Sequence, residues 1–192
     1  MTKKELRKSL KAELSKLTQE ERLSKSTDLS LNLIKLLNNL NVIQKKCEVG
    51  AFAPIQMEPL WFLECEKILR SFLSYPGFEN GEMKFRKDDR MNLVRSPEFG
   101  IELVAPKSDS QLVLPEVLLI PGLGFSKVGA RLGRGKGHYD QYLAQHKDQQ
   151  MIKIGLAFEE QIVVSIPEEA HDERMNYLVT DQKIYEIKNS DS

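Results

Sequence analysis

The chain has 192 residues, long enough to bury a full hydrophobic core without disulfide or metal staples. Apolar residues make up 41% and charged residues 29%, which excludes a disordered chain, and two cysteines exclude a disulfide scaffold. Lys plus Arg and Asp plus Glu are 28 each, so the chain is not basic overall and any polyanion site has to be local.

Leu6, Leu10, Leu14 and Leu17 fall at helical spacing with charges between them, which predicts a helix over 2–17. The opening stretch has no apolar segment of signal-peptide type, and no run reaches bilayer-spanning length, so a soluble, cytoplasmic protein is expected. A second helix starts at Thr18, where Thr18 and Glu21 spell a T-x-x-E capping box. It runs to about Leu40 on a stripe of Leu29, Leu33, Leu36, Leu37 and Leu40, and Asn38, Asn39 and Asn41 stop it. Residues 47–53 read as a short buried strand closed by Pro54, with Cys47 a small core residue. A helix is expected from about 59 to 74, a turn at 75–78, and a strand at 83–86. Residues 90–95 and 101–104 read as strand or loop. Residues 116–120 are apolar on both faces, as in a strand of a covered parallel sheet. A loop at 121–124, a helix from about 136 to 145 and an apolar strand at 152–158 follow. Residues 184–187 are ambiguous between strand and loop, and 189–192 form a polar tail. Helices alternating with buried strands predict an α/β fold, in which ligands bind beyond the carboxyl ends of the strands.

The loop after the strand at 116–120 is therefore the place to look. Between Pro121 and Asp140 it holds six of the eleven glycines, with Lys127, Arg131, Arg134 and Lys136 against one acid, Asp140. Glycines let backbone amides approach a phosphate closely, cations supply charge, and a helix starting near Lys136 adds its N-terminal amides. The pattern points to a polyphosphate. A P-loop would need Gly at position 130 and Ser or Thr at 137, where the chain has Ala130 and Gly137. A dinucleotide fingerprint fails at His138. A solvated loop and a nucleotide- or RNA-gripping module remain open on composition. RNA binding wants a wide basic face with stacking aromatics, and this chain is neutral and 7% aromatic.

The run 120–125, Gly129, Arg131-Leu-Gly-Arg-Gly-Lys-Gly137 and Tyr139-Asp140 resembles the signature of the 5-formyltetrahydrofolate cyclo-ligase family. Lys3-Lys-Glu-Leu-Arg7, Glu20-Glu-Arg22, Gly155-Leu-Ala-Phe-Glu-Glu-Gln161, Ile166-Pro167 and His171-Asp172 match the family in the same order, whereas about 56–110 matches weakly. The resemblance implies one domain over 1–192, with a Rossmann-like, mostly parallel sheet flanked by helices and two helices at the N-terminus. It implies an ATP- and Mg²⁺-dependent cyclisation of 5-formyltetrahydrofolate to 5,10-methenyltetrahydrofolate with release of ADP and phosphate. The N5-formyl oxygen would be phosphorylated and then expelled by N10. Such chemistry asks a protein for positioning, a metal and cations around the transferred group. The substrates would be ATP and the folate, with no nucleic-acid or membrane partner, and the protein would act as a monomer.

Residue by residue, the resemblance assigns Arg134 and Lys136 to catalysis. Lys3, Arg7, Arg131, Leu132, Gly133, Arg134, Gly135, Lys136, Gly137, His138 and Tyr139 would hold ATP. Asp140 and Asp172 would be the Mg²⁺ ligands. Glu58 would contact the folate, with Pro54 and Trp61, joined by Phe52 and Met57, as an apolar wall. Core packing competes with that role for each apolar residue, and a solvated helix face competes for Lys3 and Arg7. Another formyl or amide substrate stays open, because the weakly matching middle is where a substrate would be chosen. Ser126, His138, Pro59 and Asn176 depart from the family pattern, and His138 could make phosphate binding sensitive to pH.

Overall fold

A computed structural model describes residues 1–55, 57–87, 93–98, 101–169 and 172–188. Two helices open the chain, α1 (Lys3–Leu14) and α2 (Gln19–Asn39), each begun by a reciprocal capping box, Thr2 with Glu5 and Thr18 with Glu21. A short helix, α3 (Val42–Lys45), leads to β1 (Val49–Gly50). Then come α4 (Phe62–Leu69), a single 3₁₀ turn, and the hairpin β2 (Leu73–Glu79) and β3 (Glu82–Lys87). A separate two-stranded hairpin follows, β4 (Leu93–Glu98) with β5 (Ile101–Pro106). The second half holds β6 (Val117–Pro121), β7 (Gly124–Ser126), β8 (Arg131–Leu132), α5 (His138–Gln145), β9 (Ile152–Leu156), β10 (Ile162–Val163), β11 (Tyr177–Val179) and β12 (Ile184–Glu186).

The main sheet has seven strands in the order β12-β11-β9-β6-β1-β2-β3. Its five inner strands pair in parallel, and β3 and β12 pair antiparallel at the edges. Alternation along β6 sorts the core into two layers. Val117 and Leu119 join the leucines of α2 and α4, while Leu118 and Ile120 join Phe125, Tyr142 and Leu143 on the α5 side. Covered faces on both sides explain why this strand is apolar throughout. The parallel α/β class expected from the sequence is the class observed.

Four local expectations need correction. Residues 75–78 are part of β2, not a turn, and the chain reverses at Asn80-Gly81, both at positive φ, as two-residue hairpins prefer. Pro76 is tolerated inside β2 because β1 pairs only with Leu73 and Ser74, so no β1 residue needs a hydrogen bond from position 76. The helix expected to reach 74 therefore stops at Leu69. The loop expected at 121–124 is confined to Gly122 and Leu123, with β6 running through Pro121 and β7 starting at Gly124. The strand expected over 47–53 is assigned only at Val49–Gly50, although the Ala51 amide still donates to the Ser74 carbonyl at 2.8 Å. Residues 101–104 lie in β5, whereas 90–92 and the tail at 189–192 fall outside the described residues.

The order of strands creates a crevice. From β1 the chain moves to β2 on one side, then returns across β1 to lay down β6 on the other. Loops leaving the carboxyl ends of β1 and β6 thus diverge, the arrangement in which open α/β sheets bind ligands.

Candidate active site

The loop after β6 is a supported structure. β7 and β8 form a hairpin, and β10 adds to β7 in parallel, making a three-stranded sheet at the carboxyl end of the main one. The Ser126 hydroxyl accepts the Ala130 amide at 3.2 Å and closes the hairpin turn, so this departure from the family pattern is structural here. Leu132 is buried with Leu6, Leu10, Ala130 and Ile166, an apolar cluster that docks α1 onto the hairpin. Each such leucine contributes about 2 kcal/mol by leaving water. Gly124 lets the helix close in, since a Cβ there would lie 2.6 Å from Leu10 Cδ1. Leu132 itself offers a ligand no side chain, and its carbonyl is taken by the Leu123 amide at 2.8 Å.

Docking brings the cations of α1 to the loop. Arg7 Nε donates to the Gly133 carbonyl at 2.9 Å. One turn earlier, Lys3 Nζ meets Glu169 at 2.9 Å and Asp172 at 3.0 Å. Burial works to lower the Lys3 pKa, but its hydrogen bonds and attraction to these carboxylates outweigh burial and hold it above the ordinary lysine value. Gly135 and Gly137 take φ of 104° and 74°, left-handed conformations that suit glycine. Gly137 is the N-cap of α5 and brings no side-chain cap, so the first amides of that helix keep their partial positive charge. Lys136 is exposed on this turn.

Arg131 and Arg134 separate into different roles. The Arg131 side chain is 6% exposed, donates to the Pro121 carbonyl at 3.2 Å and to Asp140, and lies 5.6 Å over the Tyr139 ring. It is a strut between β6 and α5. Arg134 keeps 29% of its side chain exposed and donates to Glu58 Oε1 at 3.0 Å.

Glu58 stands on the loop after β1, so this ion pair closes the crevice between the diverging loops. Its other oxygen, Oε2, accepts the Ile55 amide at 3.0 Å. Only 8% of the residue is exposed. Burial raises the Glu58 pKa, and the charge of Arg134 and the Ile55 amide offset only part of that. Tyr139 brings a third polar group here. The residue is half-buried, but its hydroxyl is enclosed with no hydrogen-bond partner among the described residues. Burial, then the Glu58 charge, push that phenol far above its usual range.

The apolar wall is only partly present. Pro54 and Met57 are half-buried beside Glu58. Trp61 is fully buried in the core, where its Nε1 donates to the Phe52 carbonyl at 2.9 Å, and Phe52 is buried with it. Both rings brace the 52–61 segment from within the core instead of facing the crevice. His138 opens α5 with its ring edge-on to Phe78, centroids 4.8 Å apart, and Asn176 accepts the Lys153 amide at 2.8 Å at the start of β11. His171 lies outside the described residues.

The two expected metal ligands engage different cations, Asp140 with Arg131 and Asp172 with Lys3. Among the described residues no group of three or more His, Cys, Asp or Glu is placed to hold a metal. Such a donor set fits Mg²⁺ that arrives on phosphates and takes one or two protein carboxylates.

Sequence reasoning did not single out Gln161 for a role of its own. It is buried, and its side-chain amide bonds three backbone groups: it accepts from Phe158 and donates to Gly122 and Leu123. No sequence signal short of a polar residue beside an apolar strand marks it.

The family model for the 5-formyltetrahydrofolate cyclo-ligase family matches residues 1–181. The chain belongs to this family. It is 31% identical over 207 residues to 5-formyltetrahydrofolate cyclo-ligase of Mus musculus, covering 96% of this chain and 93% of that one. It is 30% identical over 175 residues to the enzyme of the same name from Haemophilus influenzae, covering 88% and 89%. The solution structure of 5,10-methenyltetrahydrofolate synthetase from Aquifex aeolicus superposes with a TM-score of 0.80 at 28% identity, over 100% of this chain and 96% of that one. Cyclo-ligase family membership and the α/β fold are thus shared by sequence and structure relatives.

Proposed function

We propose that this cyclo-ligase family member closes 5-formyltetrahydrofolate to 5,10-methenyltetrahydrofolate, consuming ATP and releasing ADP and phosphate. The observation that carries the reading is the Arg134–Glu58 pair at the switch point. It puts a buried acceptor on one loop beside a cation-rich glycine turn on the other. Family membership supplies the substrate class.

The formyl group on N5 is an amide and a poor electrophile. Phosphorylating its oxygen makes a leaving group that N10 can displace. Lys136 and Arg134 would follow the transferred phosphoryl, Lys136 as a compact point charge and Arg134 as a planar fork. Backbone amides of 133–137 and the uncapped start of α5 receive the nucleotide phosphates. Lys3 and Arg7 extend the cationic rim from α1. Glu58, with Pro54 and Met57 beside it, takes the folate. Mg²⁺ would neutralise charge on the phosphates, with Asp140 and Asp172 as its protein carboxylates. Since every one of these groups comes from one chain, a monomer suffices, and the reading places it in the cytoplasm.

A turnover assay tests this. Protein, 5-formyltetrahydrofolate, ATP and Mg²⁺ are mixed and the near-ultraviolet absorbance of the methenyl product is followed. A rise that needs both ATP and metal is expected. No rise, with ATP still bound, points to another formyl or amide substrate. No rise and no ATP binding overturns the reading.

A further inference from the structure

We infer that Gln161 is a positioning residue for the nucleotide, acting through the root of the β7–β8 hairpin. The carboxamide is 1% exposed and every polar atom of it is used. Oε1 accepts the Phe158 amide at 2.8 Å, just past the carboxyl end of β9. Nε2 donates to the Gly122 carbonyl at 2.9 Å and to the Leu123 carbonyl at 3.2 Å, just past the carboxyl end of β6. One side chain thus ties together the ends of two neighbouring parallel strands at the rim of the crevice.

What it holds is the entry to the glycine turn. With the Gly122 and Leu123 carbonyls turned toward Gln161, the Leu123 amide points to the Leu132 carbonyl at 2.8 Å. The next carbonyl, that of Gly133, receives Arg7. Residues 133–137 leave directly from that point. Gln161 also packs its own backbone against the hairpin, for a Cβ on Gly124 would sit 3.3 Å from the Gln161 carbonyl oxygen. Only a side chain with an acceptor and a two-hydrogen donor at this length makes all three bonds. A glutamate has the shape but no donor when ionised, and would face two carbonyl oxygens with a negative charge. Glu58 stands on the other loop, after β1, so loosening the hairpin root acts on the nucleotide side of the crevice first.

This role presupposes the nucleotide site proposed above. The test compares Gln161→Glu and the uncharged, near-isosteric Gln161→Met with the wild-type chain in the ATP-dependent assay. ADP binding is measured by calorimetry on the same proteins. Both variants are expected to raise the KM for ATP and the Kd for ADP by about fivefold or more, with Gln161→Glu the worse, as befits lost and repelled hydrogen bonds. The KM for the folate should stay within about twofold. Equal rises in both KM values, a fall in melting temperature with both KM values unchanged, or loss of folding in both variants would each make Gln161 a general stability residue and overturn the inference. A wild-type chain that neither binds ADP nor uses ATP fails the nucleotide reading itself. A wild-type chain that does both, beside variants with unaltered ADP binding, fails the inference alone.

Discussion

The two ends of the parallel sheet are built from the same strands and differ in almost everything else. At the amino end, a groove of about 630 Å³ runs past Val42, Cys47, Val117, Ile152 and Tyr177. Its polar groups serve nearby structure. Glu116 accepts the Glu48 amide at 3.2 Å, and Lys153 pairs with Glu173 at 2.7 Å. Burial, then the neighbouring Glu116 charge, push the Cys47 thiol above its ordinary value. At the carboxyl end, the Arg134 guanidinium, the Glu58 carboxylate and the Tyr139 phenol converge from two loops and the start of α5, with a cationic glycine turn beside them. Convergent, partly desolvated charge distinguishes the ends.

Lysine truncations test that contrast most strongly. Lys136→Ala is expected to lower kcat by about a hundredfold or more, the scale of a lost charge-stabilising donor, with the melting temperature unmoved because the side chain is exposed. Lys45→Ala, on the rim of the amino-end groove, should leave kcat within about twofold. Equal effects of the two on turnover would erase the distinction.

Glu58→Gln comes next. Loss of a charged acceptor should cost about 30-fold in kcat/KM for the folate. Stability should move differently. Because burial raises the Glu58 pKa in the fold, the folded state holds that proton longer than the unfolded chain. Wild-type stability is therefore favoured below the unfolded carboxyl value and falls as pH rises through the raised one. Melting curves from acid to pH 8 should show this loss in the wild type relative to Glu58→Gln. A variant that melts earlier than wild type at pH 8 would mean that the pair with Arg134 is a net stabiliser.

Asp140 and Asp172 test the carboxylates proposed for the metal. Asp140→Ala leaves the Arg131 guanidinium buried with a carbonyl and a ring face, so without any ligand it should lower the melting temperature by about 5 °C. Asp172→Ala should lower it by about 2 °C at most, because Lys3 keeps Glu169. Activity lost equally in both, and regained as Mg²⁺ is raised, would support a shared metal role. Unchanged melting in Asp140→Ala would remove its structural part.

Much of the fold was legible where local signals agreed. The Thr18–Glu21 box, the α2 leucine stripe and the doubly apolar β6 each express a rule of neighbouring residues, and each is present as expected. The turn expected at 75–78 failed because Pro and Gly mark turns only on average. Whether a strand tolerates them depends on which edge its neighbour covers, and β1 stops two residues into β2. The site divides the same way. The loop cations, glycines and Asp140 lie within residues 121–140, so the sequence displays them together, whereas Lys3 and Arg7 reach the loop only because α1 docks on it.

The α/β class, the capped start of α2 and the concentration of cations and glycines after one buried strand are legible without coordinates, because these depend on periodicity and on local backbone freedom. The tertiary structure alone decided which cation does what. Arg131 and Arg134 are three residues apart and chemically identical, yet one is a strut to Asp140 and the other reaches Glu58 across the switch point. It also placed Trp61 inside the core and Gln161 under the hairpin. Those outcomes rest on contacts between segments far apart in the chain, where burial and hydrogen-bond geometry, not residue type, set the role.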